Sequence, residues 1–430
     1  MSDRGFLVAP LNTLWLRGAT PMDAGGVTGA ASADLMFPPT AWTWQGMIRT
    51  RVLEALLGER LRTASSSEIA AMVGGPDALP PGWRIRGPFP AVRSMDRRGR
   101  SSVMPWVPWP RCVGVSWSGP YCGATSTRYL APRRVERDGL VATSAQEVGG
   151  ETGHRALLRP GYAMPDEGWM SLATLMGAID EGSREAPGAR WRWDEVCWST
   201  KRSDAALPPF VHVETRTGLE IGADGIAEDH MLYTAPHLRF DDEAGLWGLL
   251  EGAPPDIAGT LQGGVAHLGR KARVATLHTA DVPDDLMDFL TGARLRRVAE
   301  ESLQALEYVR VVLLTPALVP TEGHGASAVP FEVPEGAKLI AHQASPGPFV
   351  GGTNWAARSS RPLQSTFAAG SVWVFHLANP ETRLDDAKRL AGADTSRLTV
   401  AERFGFAQRV VTPLAADMIL KNSEEEETKA

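Results

Sequence analysis

Arg49 and Arg51, two residues apart in the sequence, are the side chains best placed to bind an anion. An arginine guanidinium stays charged near neutral pH and can hold a phosphate through two parallel N–H groups. An apolar strand pattern covers Phe6–Leu16, and a Pro-Pro-Thr step then precedes the amphipathic segment that carries both arginines. We therefore predict a helix whose N-terminal amides and arginines face an anionic ligand.

Positive charge is concentrated in one part of the chain, although the formal net charge of the whole is −6. From Arg49 to Arg137 there are 15 Arg, no Lys and 6 acidic residues. Guanidinium groups and stacking rings share this stretch, as single-stranded nucleic acid recognition requires. Biased genomic composition is the alternative explanation for the Arg excess. The rings belong to Trp83, Trp106, Trp109, Trp117, Tyr121 and Tyr129.

Signatures of catalysis are few. The sequence has no phosphate-binding loop ending in Gly-Lys-Ser or Gly-Lys-Thr, no HExxH helix, no GxSxG elbow and no zinc deaminase pairing. His267 and His278 flank a basic stretch, and either could act as a general base near an RNA 2′-hydroxyl because imidazole titrates near neutrality. A lone histidine is more often structural, so no catalytic residue is predicted.

No metal site or cofactor is predicted either. Asp241, Asp242 and Glu243 could bind a divalent ion, but turn residues are normally acidic for solubility. The three cysteines lack the two-residue spacing of a zinc knuckle or redox motif, which argues against a structural metal or a disulfide framework.

Length and composition indicate a globular protein of two or three domains, since 43% of the 430 residues are hydrophobic and 22% are charged. No stretch approaches the roughly 18 apolar residues of a membrane span, and the first ten residues lack a secretory signal pattern. We expect a cytoplasmic protein with no membrane contact. The acidic run Glu424–Glu427 is expected to be disordered.

Periodicity and turn residues predict two helices. The first covers Trp42–Leu57, with Thr40 as its cap, Gly58 just past its end, and Trp44, Ile48, Val52 and Ala55 on one side. The second covers Pro283–Leu306, with Gly292 as a weak point.

Strands are predicted at Tyr308–Thr315 and Ser371–Leu377, together with a hairpin of His237–Phe240 and Gly245–Leu250. The proline-rich residues 74–87 and 105–120 are expected to be surface insertions because proline lacks a backbone donor. Few helices and many strands predict an α+β chain of two small sheet-plus-helix units.

Six segments occur together and in order in a way that resembles a known family: APLNTLWLRGATPMDAGG (9–26), FPPTAWTWQGMIRT (37–50), VAHLGRKARVATLH (265–278), VVLLTPALVP (311–320), FVGGTNWAARSSRPLQSTFAAGSVWVF (349–375) and RFGFAQRVV (403–411). The set resembles the third subunit of the Cmr effector complex of type III-B CRISPR systems, a member of the RAMP superfamily. The interior from about 60 to 235 carries no motif that can be aligned.

The resemblance implies two ferredoxin-like units, of the RNA-recognition-motif and RAMP type, with long irregular insertions. We expect a first unit over 1–235 with Arg/Trp-rich insertions, a second over 236–421 and an acidic tail over 422–430. The family is not known as a nuclease. It binds the 5′ repeat-derived tag of the CRISPR guide RNA and docks the large polymerase/cyclase-type subunit, beside a backbone RAMP subunit, with target RNA contacted only indirectly.

Two departures from the family pattern bear on the site. Where the family tends to read Leu-Gly-Gly-Glu, this chain has Leu268, Gly269, Arg270 and Lys271, which adds charge suited to phosphate. The late glycine-rich loop is reduced to Gly405, which weakens the transfer of that loop's role.

The residues predicted to contact RNA lie in the quoted segments and supply guanidinium groups, backbone amides or rings. Packing is the alternative reading for Gly46 and for Trp355, and a solvated loop for the basic step after Gly269. The full set is Arg17, Thr40, Trp44, Gln45, Gly46, Arg49, Arg51, Gly269, Arg270, Lys271, Arg273, Gly351, Gly352, Asn354, Trp355, Arg358, Gly405 and Phe406.

Two other functions remain open at this point. One is a RAMP-type endoribonuclease that processes precursor CRISPR RNA with a histidine as general base. The other is an architectural subunit that contacts only protein partners, which the acidic net charge favours.

Overall fold

The structure is a computed structural model. It describes residues 5–18, 31–32, 35–95, 101–111, 113–117, 124–129, 132–133, 154–156, 162–163, 167–182, 196–199, 207–221, 227–269, 273–320, 329–354 and 359–414. The acidic run Glu424–Glu427 lies outside these residues.

Most of the described chain forms strands, joined by short helices. The strands are β1 Phe6–Pro10, β2 Ala31–Ser32, β3 Arg84–Met95, β4 Ser101–Pro108, β5 Val113–Trp117, β6 Ala124–Tyr129, β7 Pro132–Arg133, β8 His154–Ala156, β9 Tyr162–Ala163, β10 Glu167–Ser171, β11 Val196–Ser199, β12 Val211–Ile221, β13 Ala227–Phe240, β14 Ala244–Glu251, β15 Val265–Leu268, β16 Arg273–Thr279, β17 Tyr308–Leu313, β18 Ala317–Leu318, β19 Ala337–Gln343, β20 Val350–Asn354, β21 Ser359–Gln364, β22 Thr366–Phe367, β23 Val372–Leu377 and β24 Arg409–Pro413.

The α-helices are α1 Ala41–Leu57, α2 Ser66–Val73, α3 Leu172–Gly182, α4 Pro255–Gly259, α5 Asp284–Thr291, α6 Arg294–Glu301, α7 Arg383–Leu390 and α8 Val400–Arg403. Short 3₁₀ helices cover Gly58–Arg62, Leu303–Leu306 and Thr395–Arg397.

The first sheet has the order β11-β10-β4-β3-β14-β1-β16-β15. Within it, β16, β1, β14 and β3 are adjacent and antiparallel. Helix α1 lies between β1 and β3 in sequence, and α4 lies between β14 and β16. This is the βαββαβ arrangement of a ferredoxin-like unit.

A second sheet repeats the same strand order. It runs β24-β17-β23-β19-β8-β7, and its first four strands are antiparallel. Helices α7 and α8 connect β23 to β24. The predicted α+β class with two ferredoxin-like units is confirmed.

Strand pairing bears on where one unit ends and the next begins. β14 and β16 pair with β1, so strands as late as Thr279 belong to the first sheet, whereas β17, β19, β23 and β24 pair in the second sheet. The pairing therefore crosses the expected boundary at residue 235. Because sheets are not the same as independently folding domains, the division of the chain into domains stays a prediction.

Helix α1 forms where the sequence predicts it, starting one residue earlier at Ala41. The Thr40 hydroxyl accepts the Thr43 N–H at 3.2 Å, which satisfies one of the free amides of the first turn. Gly58, with φ of 53°, ends the helix in a conformation that favours glycine.

The buried side of α1 packs on the first sheet. Trp44, Ile48 and Val52 are buried as predicted, whereas Ala55 is exposed and Leu57 takes the last core position. Trp44 stacks on Phe6 of β1 with ring centroids 5.7 Å apart, so the helix is fixed against the central strand of the sheet.

One core cluster is shared by the two sheets. Leu7, Phe89 and Trp247 of the first sheet pack in the same cluster as Val312 and Val410 of the second. Because these side chains come from both sheets, each sheet buries apolar surface of the other.

The expectation that residues 74–87 and 105–120 are surface insertions is wrong for residues 84–87 and 105–108. These residues lie in β3 and β4, inside the first sheet. Pro88, just after the first stretch, is tolerated because β3 is irregular there, with Gly87 and Pro88 between the pairs Arg86–Leu249 and Phe89–Trp247. A bulge of this kind is one place where a sheet accepts proline.

The predicted hairpin around Asp241 is also wrong. The turn exists, since the Ala244 N–H donates to the Asp241 carbonyl at 3.1 Å. However, β13 pairs with β12 and β2, whereas β14 pairs with β1 and β3. β13 and β14 are joined by a tight turn but do not pair with each other. β14 is buried inside the first sheet, where β1 and β3 occupy both of its edges.

The acidic turn pairs with basic side chains. Asp241 lies 2.8 Å from His212 Nε2, and Glu243 lies 3.3 Å from Arg93 Nη1. Among the described residues, no group of three His, Cys, Asp or Glu side chains is arranged to hold a metal ion.

Four other predicted elements change in length. The strand expected over Phe6–Leu16 ends at Pro10. The helix expected over Pro283–Leu306 breaks at Gly292, the residue predicted to be its weak point. Gly292 takes the left-handed conformation at the end of α5. The strands at 308 and 371 form as Tyr308–Leu313 and Val372–Leu377. In the described part of the chain, no helix combines the length and apolarity needed to cross a bilayer.

Candidate nucleic-acid interface

Three segments that are distant in sequence meet at the N-terminal end of α1. Ala41 of α1, Val350 of β20 and Phe406 form one buried cluster. Trp42 packs edge-on against Phe404 and Phe406, with ring centroids 5.4 and 5.0 Å away. We call the N-terminal half of α1, the β20–β21 hairpin and residues 404–407 the α1 site.

The first turn of α1 is suited to an anion. It has no acidic residue, so no carboxylate of that turn competes for its free amides. Gly46, one turn on, would place a side chain in open space, because no atom lies within 4 Å of a Cβ built there. Tight packing of Gly46 against a sheet is therefore excluded as the reason for this glycine.

Arg49 is largely engaged inside the protein. Its guanidinium donates to the carbonyls of Gly74 and Gly75 at 2.7 and 2.6 Å and to Gln45 Oε1 at 3.1 Å. Burial and repulsion from Arg361 lower its pKa, and attraction from Asp77 partly offsets them. Arg49 thus holds the turn after α2 against α1. It also interacts electrostatically with Arg361 and Asp77.

Arg361 of β21 is a component of the site that sequence reasoning missed. Its guanidinium lies over the Trp42 ring, 4.1 Å from the centroid, as in a cation–π contact. It pairs with Asp77 at 2.9 Å and donates to the Pro76 carbonyl at 3.3 Å. The sequence feature that could have predicted Arg361 is its position in segment 349–375, one of the segments that resemble the family.

The β20–β21 hairpin brings two predicted glycines to the site. Gly352 has φ of 125° and open space at its Cβ position, and it pairs across the hairpin with Arg361. A Cβ on Gly351 would come within 2.9 Å of Leu363, whose side chain covers it. Asn354 ends β20, whereas Trp355 and Arg358 lie outside the described residues.

Several predicted contact residues are buried where they lie. Trp44 is 0% exposed, and its indole donates to the Arg86 carbonyl at 3.3 Å, so no face of the ring is open to a base. Gln45 is buried and donates to the Trp42 carbonyl at 3.2 Å. Phe406 is 2% exposed.

Gly405 joins the two sheets. It has φ of 110°, and a Cβ there would lie 2.9 Å from the Gly87 carbonyl. Gln408 Nε2 donates to the carbonyls of Gly87 and Gly405, both at 2.8 Å. The structure thus gives Gly405 and Phe406 a packing position within the α1 site.

A second group of predicted residues lies beside β15 and β16. Gly269, with φ of 79°, approaches the chain at Trp15, whose carbonyl would lie 2.9 Å from a Cβ. Arg17 is two residues further along, and Arg273 begins β16. Arg51 of α1 lies at the opposite end of β15, where it donates to the Gly263 carbonyl at 3.0 Å. Arg270 and Lys271 fall outside the described residues.

Much of the predicted Arg- and Trp-rich segment is structural where it is described. Trp83, Trp106 and Trp109 are buried. Arg86 donates to the Leu290 carbonyl at 2.9 Å, and Arg84 donates to the Gly392 carbonyl at 2.6 Å. These carbonyls lie at the ends of α5 and α7, where helices have free acceptors. The side chains of Trp117, Tyr121 and Tyr129 lie outside the described residues.

Arg84 and Arg86 share Glu251 as a counterion. Glu251 Oε1 lies 2.6 Å from Arg86 Nε, and Oε2 lies 3.9 Å from Arg84 Nε. Burial and repulsion from Arg86 lower the pKa of Arg84 to about 9, although attraction from Glu251 partly offsets them. Burial alone would raise the pKa of Glu251, but the two arginines together hold it below its usual value.

The two histidines considered as general bases do not lie next to each other. His267 pairs with Val274 across β15 and β16, and His278 is four residues further along β16. At about 3.3 Å per residue, that offset is roughly 13 Å. The His278 ring is hydrogen bonded to Thr276 Oγ1 at 3.0 Å.

Comparison with known proteins gives one family match. A family model described as CRISPR-associated protein (Cas_Cmr3) matches residues 6–412. No curated protein matches the sequence.

Similar solved structures are distant. Two are cryo-EM structures of the Type III-B Cmr-beta bound to cognate target RNA, the second also with AMPPnP. Each similar chain is 13% identical over 94% of this chain and 95% of that chain, with TM-scores of 0.42 and 0.40. A third, from a Csm3-Csm4 subcomplex in the type III-A CRISPR-Cas interference complex, is 9% identical over 86% and 92%, with a TM-score of 0.35.

Proposed function

Because the chain belongs to the CRISPR-associated Cas_Cmr3 family, we propose that it is a non-catalytic subunit of a type III-B effector complex in antiviral defence. It binds the 5′ repeat-derived tag of the guide RNA and docks the large polymerase/cyclase-type subunit next to a backbone RAMP subunit. Target RNA is contacted only through the assembled complex, and the protein works in the cytoplasm without a cofactor.

The observation that carries this proposal is the convergence at the α1 site. Segments around residues 40, 350 and 405, which the family resemblance singled out separately, lie in one contiguous cluster. Free amides of the α1 first turn, an open position at Gly46 and the guanidinium of Arg361 all lie there. Backbone amides, guanidinium groups and room for close approach are what a nucleic acid backbone needs.

The second group, beside β15 and β16, supports the same role. Arg273 and the chain at Trp15, two residues before Arg17, lie at the turn at Gly269, whereas Arg51 of α1 contacts the other end of β15 at Gly263. Arg51 lies ten residues after Ala41 on α1, about 15 Å along the helix axis, so the two groups could contact phosphates a few nucleotides apart. The role of Arg270 and Lys271 in this group is part of the proposal.

The outer face of the β20–β21 hairpin supports docking of a protein partner. Phe349 and Leu363 expose 58% and 62% of their surface on this hairpin, next to the α1 site. Exposed apolar side chains at the edge of a basic site suit an interface between RNA and protein subunits.

Tag recognition is tested by comparing guide RNAs with and without the 5′ tag. The full chain, together with its large-subunit partner, is expected to retain the tagged RNA more tightly than the tagless one. Equal affinity for both RNAs would reject tag recognition. A steep decrease of affinity with salt is expected in either case, since each phosphate contact on a single strand contributes a slope of about 0.7.

The endoribonuclease alternative predicts a different result. The purified chain would cleave repeat RNA without added metal, and the cleavage would be lost in a His267→Ala or His278→Ala variant. A purely architectural subunit would retain neither RNA. The proposed function predicts retention without cleavage.

A further inference from the structure

We infer that Arg361 and Arg49 form a phosphodiester-binding subsite of the α1 site, and that Asp77 occupies it until nucleic acid displaces the carboxylate. The inference rests on the proposed function and makes it specific: it names Arg361 as a contact residue and Asp77 as a built-in competitor. Neither residue was predicted from the sequence.

The two guanidinium groups lie on the same side of α1. Arg361 lies over the ring of Trp42, and Trp42, Gly46 and Arg49 follow one another at i, i+4 and i+7 on the helix surface. The positive charge of Arg361 helps to lower the pKa of Arg49. Two like charges held this close are stabilised by an anion between them.

Asp77 supplies that negative charge in the free protein. Its carboxylate lies 2.9 Å from Arg361, and its charge also acts on Arg49. The Asp77 side chain is 69% exposed, whereas that of Arg361 is 16% exposed. An exposed ion pair contributes little to stability, so another anion can replace the Asp77 carboxylate, while the guanidinium is held in place by the Trp42 ring and the Pro76 carbonyl.

Two glycines leave room beside the guanidinium groups. Gly46 lies between Trp42 and Arg49 on the helix surface and has open space at its Cβ position. Gly352 pairs with Arg361 across the hairpin, points to the same face and is also open. Glycine in a helix interior is destabilising relative to alanine, and nothing within the described chain packs there. A ligand that approaches the backbone closely accounts for Gly46, whereas Gly352 is also required by its φ of 125°.

A phosphodiester is the anion that fits. It carries one negative charge, matches the bidentate geometry of an arginine, and replaces the carboxylate without a change in the charge of the cluster. A simple structural clasp, in which Arg361 and Asp77 only fix the hairpin to the turn after α2, is the competing explanation.

The two explanations predict opposite effects of Asp77→Asn on RNA affinity. If Asp77 competes with phosphate, Asp77→Asn removes the competitor and tightens RNA binding, about threefold at moderate salt. Arg361→Gln removes the contact and weakens binding about tenfold. If the pair is only a clasp, both substitutions loosen the hairpin and weaken binding together.

The experiment measures binding of the full-length chain to a short single-stranded RNA, labelled at its 3′ end, by fluorescence anisotropy over a range of salt concentrations. Arg361→Gln should also reduce the salt slope by about 0.7, whereas Asp77→Asn should keep it at least as steep as in the wild type. Arg361→Lys should recover part of the affinity, since it keeps the charge but not the planar fork. Circular dichroism checks that each variant is folded.

The matched controls are Glu332→Gln and Arg397→Gln. These residues form an ion pair of similar type, 3.1 Å apart, on another part of the surface, and neither change should alter RNA binding. Weaker binding in both Asp77→Asn and Arg361→Gln, or no change in either while the wild type binds RNA, would overturn the subsite alone. A wild type that retains no RNA would overturn the proposed function and the subsite with it.

Discussion

Arginine side chains have two roles in this protein. Arg84, Arg86 and Arg409 are buried and donate to backbone carbonyls near helix ends, where acceptors would otherwise be unpaired. Arg361 instead lies at the surface of the α1 site with an exposed counterion. The count of arginines alone therefore says little about how many can meet RNA.

Gly46→Ala tests the open position in α1. A methyl group fits without contact and restricts the unfolded chain, so the free energy of unfolding should rise by about 0.5–1 kcal/mol. RNA affinity should fall about fivefold, because the methyl group occupies the space proposed for a phosphate. Chemical denaturation and anisotropy measure the two effects. Gly177→Ala in α3, also an open position, is the control that should stabilise without changing RNA binding.

Glu251→Gln tests the buried charges between β3 and β14. The pKa of Glu251 in the folded protein lies below its usual value of 4.5, so its stabilising effect is present above about pH 4.5 and lost as the pH falls through the lowered pKa. At pH 7 the variant should lose about 2 kcal/mol of unfolding free energy. Urea denaturation should show the gap to the wild type closing below about pH 4. A gap that is the same at pH 7 and pH 3.5 would contradict the assignment.

At the scale of elements, the turn after α8 connects the second sheet to the α1 site. Glu402 closes a capping box with Thr399 and pairs with Arg409 at 2.6 Å. Both charged side chains are nearly inaccessible, with 4% and 1% of their surface exposed. The turn that follows carries Phe404 and Phe406 against Trp42. Short helix, ion pair and aromatic contacts thus hold the base of the site together.

Glu402→Gln should therefore be strongly destabilising. Removing one charge of a buried pair leaves Arg409 without its counterion, and the expected loss is about 3 kcal/mol in the free energy of unfolding. Glu332→Gln, which breaks an exposed pair, should cost less than about 1 kcal/mol. Equal losses in the two variants by urea denaturation would show that the buried ion pair stabilises the fold no more than the exposed one.

At the scale of the whole molecule, the two ferredoxin-like units are joined by buried contacts. Val312 and Val410 of the second sheet share a core cluster with Phe89 and Trp247 of the first. Gln408 and Gly87 exchange two hydrogen bonds, of 3.0 and 2.8 Å. We expect the described parts of the chain to unfold as one cooperative unit.

Expressing residues 236–421 alone tests the division of the chain. The fragment lacks β1 and β3, the partners of β14 in the sheet, so we expect no cooperative thermal unfolding and rapid proteolysis. Adding residues 1–235 should restore both properties. A fragment that unfolds cooperatively by itself would instead support independent domains divided at residue 235.

Local signals were enough to predict several elements. Helix α1 followed from its period of apolar residues, its Thr40 cap and Gly58, all of which act within a few residues of one another. The break at Gly292 and the strand from Tyr308 followed from similar local preferences. The ordered segments were also sufficient to indicate the family.

Local residue patterns thus predicted where α1 and several core strands form and which family the chain resembles. The packing of distant segments, in contrast, set which side chains face inwards. Trp44 is covered by β3, Arg84 meets a carbonyl 308 positions away, and Arg361 reaches Trp42 and Asp77 through the position of a distant hairpin. The physical reason is that burial and charge pairing depend on strand register and long-range packing, which a local pattern of residues does not encode.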